Sequence, residues 1–297
     1  MGRDYEKLHF LLKVMATLPE CIRDISKTGR RHSQLANHYL VEKKLADQLR
    51  ISTRAERLNL FPELYGELFR QVPDHPRLTR RVSDEESAKT VAARKLILQG
   101  KLTPETIFME IAPGDCKLAC EVAKDVKKVY AADISDQREP GMHVQDNFEM
   151  VVFDGLNLDI EPQSVDVAFS YQFLEHLHPD DVDPHFDLVA KALKQGGVYI
   201  LDTPHAFSGP HDISRYFSEK PEGFHMHEWT YRELKSLGNK HGFNKMFVYR
   251  FGRRWDNSLF TFATLCIESV VGYLPKSIAW KLSQRLFLGV TVCLVKS

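Results

Sequence analysis

From Asp4 to about Gly100 the apolar residues recur every three or four positions, which is the spacing of one buried face of an α-helix. Four stretches carry it: LHFLLKVMATL, LANHYLVEKKLADQL, ELYGELFRQV and SAKTVAARKLILQG. No run there alternates as a strand would, and QVPDHPRLTRR, with two prolines, reads as a loop between the third and fourth helices. After Pro104 the pattern changes to short apolar runs, TIFMEI, KVYAAD, EMVVFD, SVDVAFSY and GGVYILDT, separated by helical or turn segments. Strands alternating with helices predict an α/β fold, a parallel sheet covered on both faces.

LACEVAKDV puts Leu118, Ala119, Val122, Ala123 and Val126 on one helical face, as the crossover between the first two strands requires. DDVDPHFDLVAKALKQGG reads as a helix stopped by Gly196 and Gly197, and TYRELKSLGNKHGF as one capped by Thr230. KMFVYRF and VTVCLV are the last strands. The stretch between them, Gly252 to Gly289, is too long for a hairpin turn and rich in Phe, Leu and Trp, so it predicts one or two amphipathic helices inserted into a terminal hairpin. Core packing, a substrate lid, a dimer face and a membrane-surface patch are the readings of that insertion. The chain thus divides into an N-terminal helical cap region (1–83), an α/β domain (84–251), a helical insertion (252–289) and a closing strand (290–297).

Composition narrows the function. With 297 residues, 43% apolar and 27% charged, the chain is ordinary globular material. The formal net charge is zero, so no global field recruits nucleic acid or an anionic membrane. The first hundred residues hold a small basic excess (19 Lys and Arg against 13 Asp and Glu), the mark of a solvated face more often than of a binding surface. Five cysteines, an odd number with no Cys-x-x-Cys spacing, argue against a disulfide framework or zinc knuckle and for a reducing, cytoplasmic setting. The amino terminus lacks the features of a secretory signal, and Leu259 to Leu274, interrupted by Glu268, is too short to span a bilayer. No stable membrane insertion is expected.

In sheets of this kind ligands bind beyond the carboxyl ends of the strands. Glu110 ends the first strand, with Ala112, Pro113, Gly114 and Asp115 in the turn; Asp133 ends the second, nineteen residues past Gly114. Asp154 ends the third, and Ser170, Tyr171 and Gln172 the fourth. A carboxylate about 20 residues after such a turn can accept both protons of a ribose diol. A dinucleotide would also need Gly-x-Gly-x-x-Gly so that amides reach its pyrophosphate, and the turn offers Ala112, Gly114 and Lys117 at those places. A nucleoside without phosphate removes that demand, and Glu110 suits a cationic one. S-adenosyl-L-methionine is such a ligand. On this reading Gly114 takes backbone angles that Ala112 and Cys116 do not, and those two contribute only small size.

Here the sequence resembles class I S-adenosylmethionine-dependent methyltransferases of the bacterial small-molecule or sugar type. FMEIAPGDC is similar to their first motif, acid-x-Gly-x-Gly-x-Gly, with Ala112 and Cys116 departing at the first and third glycines. VYAADIS, VVFDGLNL, SVDVAFSYQFLEHL and ALKQGGVYILDTPH resemble the four segments that follow. The resemblance covers about residues 85 to 250 plus the last strand. It implies a Rossmann-like, seven-stranded, mostly parallel sheet with an antiparallel last strand, beside the N-terminal helical region. It further implies Glu110, Ala112 and Gly114 near methionine and ribose, Asp133 on the ribose hydroxyls, Ile134 against adenine, Asp154 on the adenine amino group with Gly155 and Leu156 beside it, and Ser170 or Tyr171 at the methionine end.

Methyl transfer is an in-line displacement that needs alignment and exclusion of water but no metal. An oxygen acceptor needs a base, and histidine is suited to the task. The candidates are His176 in EHLH, His205, His211 and Asp212 in DTPHAFSGPHD, and His227 in FHMHEWT. The last two loops resemble substrate loops of methyltransferases acting on sugars or other secondary metabolites. The His-x-His pairs lack the accompanying spacing of a zinc or iron site, and SYQF is not the Asn/Asp-Pro-Pro-Tyr loop of base-modifying enzymes, so neither metal nor nucleic acid is expected. The leading expectation is O-methylation of a sugar or secondary-metabolite hydroxyl, with a small-molecule acceptor as partner. A catalytically silent binding module and an NAD-dependent oxidoreductase are the alternatives.

Overall fold

A computed structural model describes residues 19–79, 82–250 and 252–297, without the side chains of residues 61 and 62. The first predicted helix, LHFLLKVMATL, lies outside the described residues. The chain forms two compact units, residues 1–81 with 209–226 and residues 82–208 with 227–297.

In the helical unit, α1 (His32–Ile51) buries Leu35, Leu45 and Leu49 at helical spacing. Helix α2 (Arg54–Gln71) starts at a capping box: Thr53 accepts from the Glu56 amide and Glu56 reaches back to the Thr53 amide. The proline-rich stretch after α2 contains a single helical turn, Pro76–Thr79. Residues 209–226 lie within the 84–251 stretch of the sequence yet cluster with α1 and α2. Phe224 enters the core of Leu45, Leu49, Leu64 and Leu68, and its amide donates to Glu42 (3.0 Å). Lys43 pairs with Glu222 (2.6 Å), and Arg50 donates to the carbonyls of Glu222 and Gly223.

The other unit opens with α3 (Asp84–Ile97), again begun by a capping box, Ser83 with Glu86. There follow β1 (Ile107–Ile111), α4 (Lys117–Ala123), β2 (Lys128–Asp133), β3 (Phe148–Val152), β4 (Val165–Tyr171), α5 (Pro179–Ala192) and β5 (Leu193–Pro204). After them come α6 (Tyr231–Lys240), β6 (Phe243–Arg250), β7 (Arg253–Trp255), α7 (Ser258–Gly272), α8 (Lys276–Leu286) and β8 (Gly289–Lys296). The strand order is 3-2-1-4-5-8-6-7, with β1 to β5 parallel and β8 antiparallel to both β5 and β6.

The sheet has eight strands rather than the expected seven. The extra one, β7, is a three-residue antiparallel edge in which Arg253 to Trp255 pair back onto β6. Helix α5 stops at Ala192 instead of running to Gly196, because Leu193 already pairs with Val165 as the start of β5. Alternate residues of the central strands feed opposite cores: Ala168, Tyr199 and Leu201 meet α5 and α6 on one face, and Val167, Phe169, Val198 and Ile200 meet α4 on the other.

One polar cluster fastens this unit. At the end of β5, His205 is fully buried; its Nε2 meets Glu268 of α7 at 2.8 Å and its ring stacks on Phe287. Glu268 also accepts the amides of Tyr231 (2.7 Å) and Arg232 (3.0 Å), two of the orphan donors at the start of α6. Glu268→Ala is therefore expected to lower unfolding free energy by about 3 kcal/mol, because it strands three donors at once, two of them buried. Urea denaturation checks this, and a loss under about 1 kcal/mol would contradict it.

Candidate functional site

The ends of five parallel strands lie in register. Glu110 stands opposite Phe169, Ile111 opposite Ala132 and Ser170, and Tyr171 opposite Asp202. The turn after β1 is left-handed at three places, with φ of 52° at Ala112, 58° at Gly114 and 58° at Cys116. This corrects the expectation that Gly114 alone takes such angles. The backbone keeps the path of a three-glycine turn with two side chains in it, each at a cost of about 1–2 kcal/mol. Ala112→Gly is accordingly expected to raise stability by about 0.5–1 kcal/mol, measured by thermal unfolding; destabilisation would show that the angle carries no strain.

Glu110 is 3% exposed, its Oε2 has no hydrogen-bond partner, and burial pushes its carboxyl up to about 8 against the pull of the Arg94 guanidinium. Asp133 is also buried; one oxygen accepts the Ile134 amide (2.7 Å) and the other faces the Gly114 amide (3.4 Å), which ties the second strand's acid to the first strand's turn. Burial raises its pKa as well. Ile134, next in the chain, is 44% exposed, an apolar surface beside the acid.

Asp154 differs from Asp133 in being exposed. Its carboxylate accepts the amides of Leu156 (2.8 Å) and Asn157 (2.6 Å), which hold its pKa down and shape the turn containing Gly155. Ser170 is fully buried and bonded to the Tyr199 hydroxyl (2.8 Å), which also meets His185 Nε2 (2.9 Å). Ser170 thus belongs to a core network under α5, and of the pair Ser170 and Tyr171 only Tyr171 is partly exposed. The Arg94 guanidinium of α3 lies 4.4 Å from the Tyr171 ring centre.

Sequence reasoning named Gln172 at the end of the fourth strand but missed Arg94 and Asp202. Gln172, left-handed with φ 51°, donates from Nε2 to Asp202 Oδ1 (2.8 Å), and Thr291 of β8 donates to Asp202 Oδ2. Burial raises the Asp202 pKa. Glu175, fully buried, accepts from the Thr203 hydroxyl (3.0 Å). No motif announces these residues. For Asp202 the signal was its position near the end of β5, whereas Arg94 lies on α3, ahead of the strands.

Among the candidate bases, His176 is half-buried on a single helical turn, Leu174–His176, directly after β4. His205 has both ring nitrogens engaged, Nε2 by Glu268 and Nδ1 by the Phe207 amide (3.0 Å). His227 meets Glu233 (3.1 Å) and lies edge-on to Trp229, while its amide donates to the Glu175 carbonyl. His211 and Asp212 are on the helical unit, where Asp212 accepts the amides of Ser214 and Gly223 (both 2.9 Å).

The family profile described as "Methyltransferase domain" matches residues 109–201, a span that begins within β1, ends within β5 and holds the ends of β1 to β4. Over residues 109–201, about a third of the chain, the sequence matches a methyltransferase domain. The methyl donor of this family is S-adenosylmethionine. No curated protein matches the chain. Among solved structures the chain resembles phosphoethanolamine N-methyltransferase 1 of Haemonchus contortus, in complex with phosphoethanolamine and S-adenosylhomocysteine. The identity is 16%, over 82% of this chain and 50% of that one, with a TM-score of 0.51. Geranyl diphosphate C-methyltransferase of Streptomyces coelicolor is 14% identical over 79% of this chain and 84% of its own, at a TM-score of 0.45. A methyltransferase of Methanosarcina mazei is 17% identical over 67% and 96%, at 0.44. These likenesses are of fold.

The residues at these strand ends fit S-adenosylmethionine on chemical grounds. Glu110 keeps a buried, unpartnered oxygen, Asp133 and Asp202 are buried carboxylates nearby in the same row of strand ends, and a sulfonium with an ammonium group is a ligand that such acids favour. A pyrophosphate is not.

Proposed function

We propose that the chain binds S-adenosyl-L-methionine and methylates a hydroxyl of a small sugar-like or secondary-metabolite acceptor. The observation that carries the cofactor part is Glu110, buried with one oxygen unpartnered beside a turn left-handed at Ala112, Gly114 and Cys116. That retained backbone path speaks against a turn decayed into a silent module. S-adenosylmethionine supplies, when bound, an electrophilic methyl group on sulfur.

The chain's residues then have the following assignments. Asp133 holds the ribose diol, Ile134 and Leu156 contact adenine, and Asp154 with Gly155 forms the turn beside it. Glu110 stabilises the cationic amino-acid end, and Arg94, above Tyr171, offers a guanidinium to a carboxylate. Ala112 and Gly114 let the backbone approach. We assign Ser170, His205 and Asp212 structural roles, since their polar atoms are committed to Tyr199, to Glu268 and Phe207, and to Ser214 and Gly223. His227 is held by Glu233.

We take His176, on the turn directly after β4, as the group that accepts the hydroxyl proton. His176→Ala is expected to lower turnover about 100-fold, the contribution of a positioned base, with S-adenosylhomocysteine affinity unchanged within about twofold. A radiolabelled-methyl assay over a panel of sugar and phenolic acceptors, with calorimetry of the same variant, reads both quantities. Full turnover in His176→Ala would remove the histidine base. Cofactor binding with no product on any acceptor would favour the binding module.

A further inference from the structure

Helix α7 is amphipathic in the reverse sense. Its buried side carries Thr261, Thr264 and Glu268 beside Val271, whereas Leu259, Phe262, Cys266, Val270 and Tyr273 face outward, with Leu259 71%, Val270 64% and Tyr273 90% exposed. At about 100° per residue those five fall within an arc of roughly 80°, a continuous apolar stripe along the helix. Helix α8 continues the surface with Ile278, Leu282 and Leu286 exposed, and it adds Lys276, Lys281 and Arg285, all exposed. From Asn257 to Leu288 the one acid is Glu268, and it is 1% exposed. A chain with zero net charge thus collects three cations and no exposed carboxylate within these 32 positions.

We infer that the α7–α8 surface docks on an anionic lipid bilayer. The stripe offers apolar side chains to the acyl boundary and the cations of α8 pair with acidic headgroups, the combination by which interfacial helices bind membranes. A protein partner would be served by the same apolar stripe, but the absence of any exposed acid over these 32 positions matches a surface of one sign, which anionic headgroups supply. The helix lies on the membrane rather than through it: α7 has 15 residues, about 22 Å, short of the roughly 30 Å hydrocarbon core, and no described helix is long and apolar enough to cross. The inference is independent of which acceptor is methylated.

Vesicle flotation of the full chain tests it, using phosphatidylcholine alone and phosphatidylcholine with about 30% phosphatidylglycerol. The chain should float with the anionic vesicles at least tenfold more than with the neutral ones, and less as salt is raised. Lys276→Glu with Lys281→Glu should reduce flotation at least tenfold, as should Phe262→Ser with Val270→Ser, while S-adenosylhomocysteine binding and the thermal transition are retained. The two pairs of variants fail independently, since one changes only exposed charge. Absence of anionic-vesicle binding by the folded wild-type chain overturns the inference. So does a concentration-dependent dimer in sedimentation that Phe262→Ser with Val270→Ser renders monomeric without any change in flotation, which would assign the surface to a second copy.

Discussion

Asp133→Ala is expected to weaken S-adenosylmethionine binding by roughly a thousandfold. On the proposed assignment a single buried carboxylate accepts both ribose hydroxyls, and two charge-assisted bonds lost together amount to about 4 kcal/mol. The same carboxylate receives the Ile134 amide and faces the Gly114 amide, so part of the loss comes from a loosened turn. Asp133→Asn separates the two contributions. It keeps an acceptor for the amides but removes the charge, and should recover about tenfold of the affinity. Calorimetric titration with S-adenosylhomocysteine reads both. An affinity within threefold of wild type in Asp133→Ala would detach the ribose from this residue.

The second large effect is a dependence of affinity on pH. Glu110 titrates near 8 in the folded, ligand-free protein because its burial disfavours the charged form. The cationic end of the cofactor favours the ionised form, so binding below pH 8 must expel a proton. Affinity should therefore rise between pH 6 and 8 and level off above. Stability of the free protein moves the other way. The folded carboxyl holds a proton that the unfolded one, with its ordinary value of 4.5, releases. From pH 4.5 to 8 the folded state thus binds more protons than the unfolded, and stability falls as pH rises through that window. Glu110→Gln should abolish both slopes, weaken binding at pH 8.5 at least 100-fold, and raise the melting temperature more at pH 8.5 than at pH 5.5. A Glu110→Gln protein whose affinity still climbs between pH 6 and 8 would show that another group is responsible.

Much of the fold was legible because burial leaves a periodic trace. The parallel strands are near-continuous apolar runs, and six of the seven expected segments map onto β1, β2, β4, β5, β6 and β8 to within a few residues; EMVVFD begins a residue late and runs two past the end of β3. Thr230 announced the start of α6 through its capping box with Glu233. β7 was not legible, since three residues on a sheet edge, Arg253 to Trp255, have no period to read. Nor was the clustering of residues 209–226 with α1 and α2, which rests on Phe224, Glu222 and Gly223 meeting side chains more than 170 positions earlier.

At the site, motif position pointed to Glu110, Gly114 and Asp133, but it could not say which face a side chain takes. Ser170 and Tyr171 are neighbours in sequence, and strand alternation sends the first into the core with Tyr199 and His185. His205 looked like a base by type and place, yet the partner that engages its Nε2 is 63 residues away in α7. Arg94 and Asp202 were invisible for the same reason: one comes from a helix before the motifs, and the other is fixed by Gln172 and by Thr291 near the far end of the chain.

A crystal structure of the full chain with S-adenosylhomocysteine tests the central claim most directly. The account predicts the ribose hydroxyls on Asp133, the adenine against Ile134, and the ligand's ammonium within reach of Glu110. Density for the ligand elsewhere, or a bound ligand that leaves both Asp133 and Glu110 untouched, would contradict it.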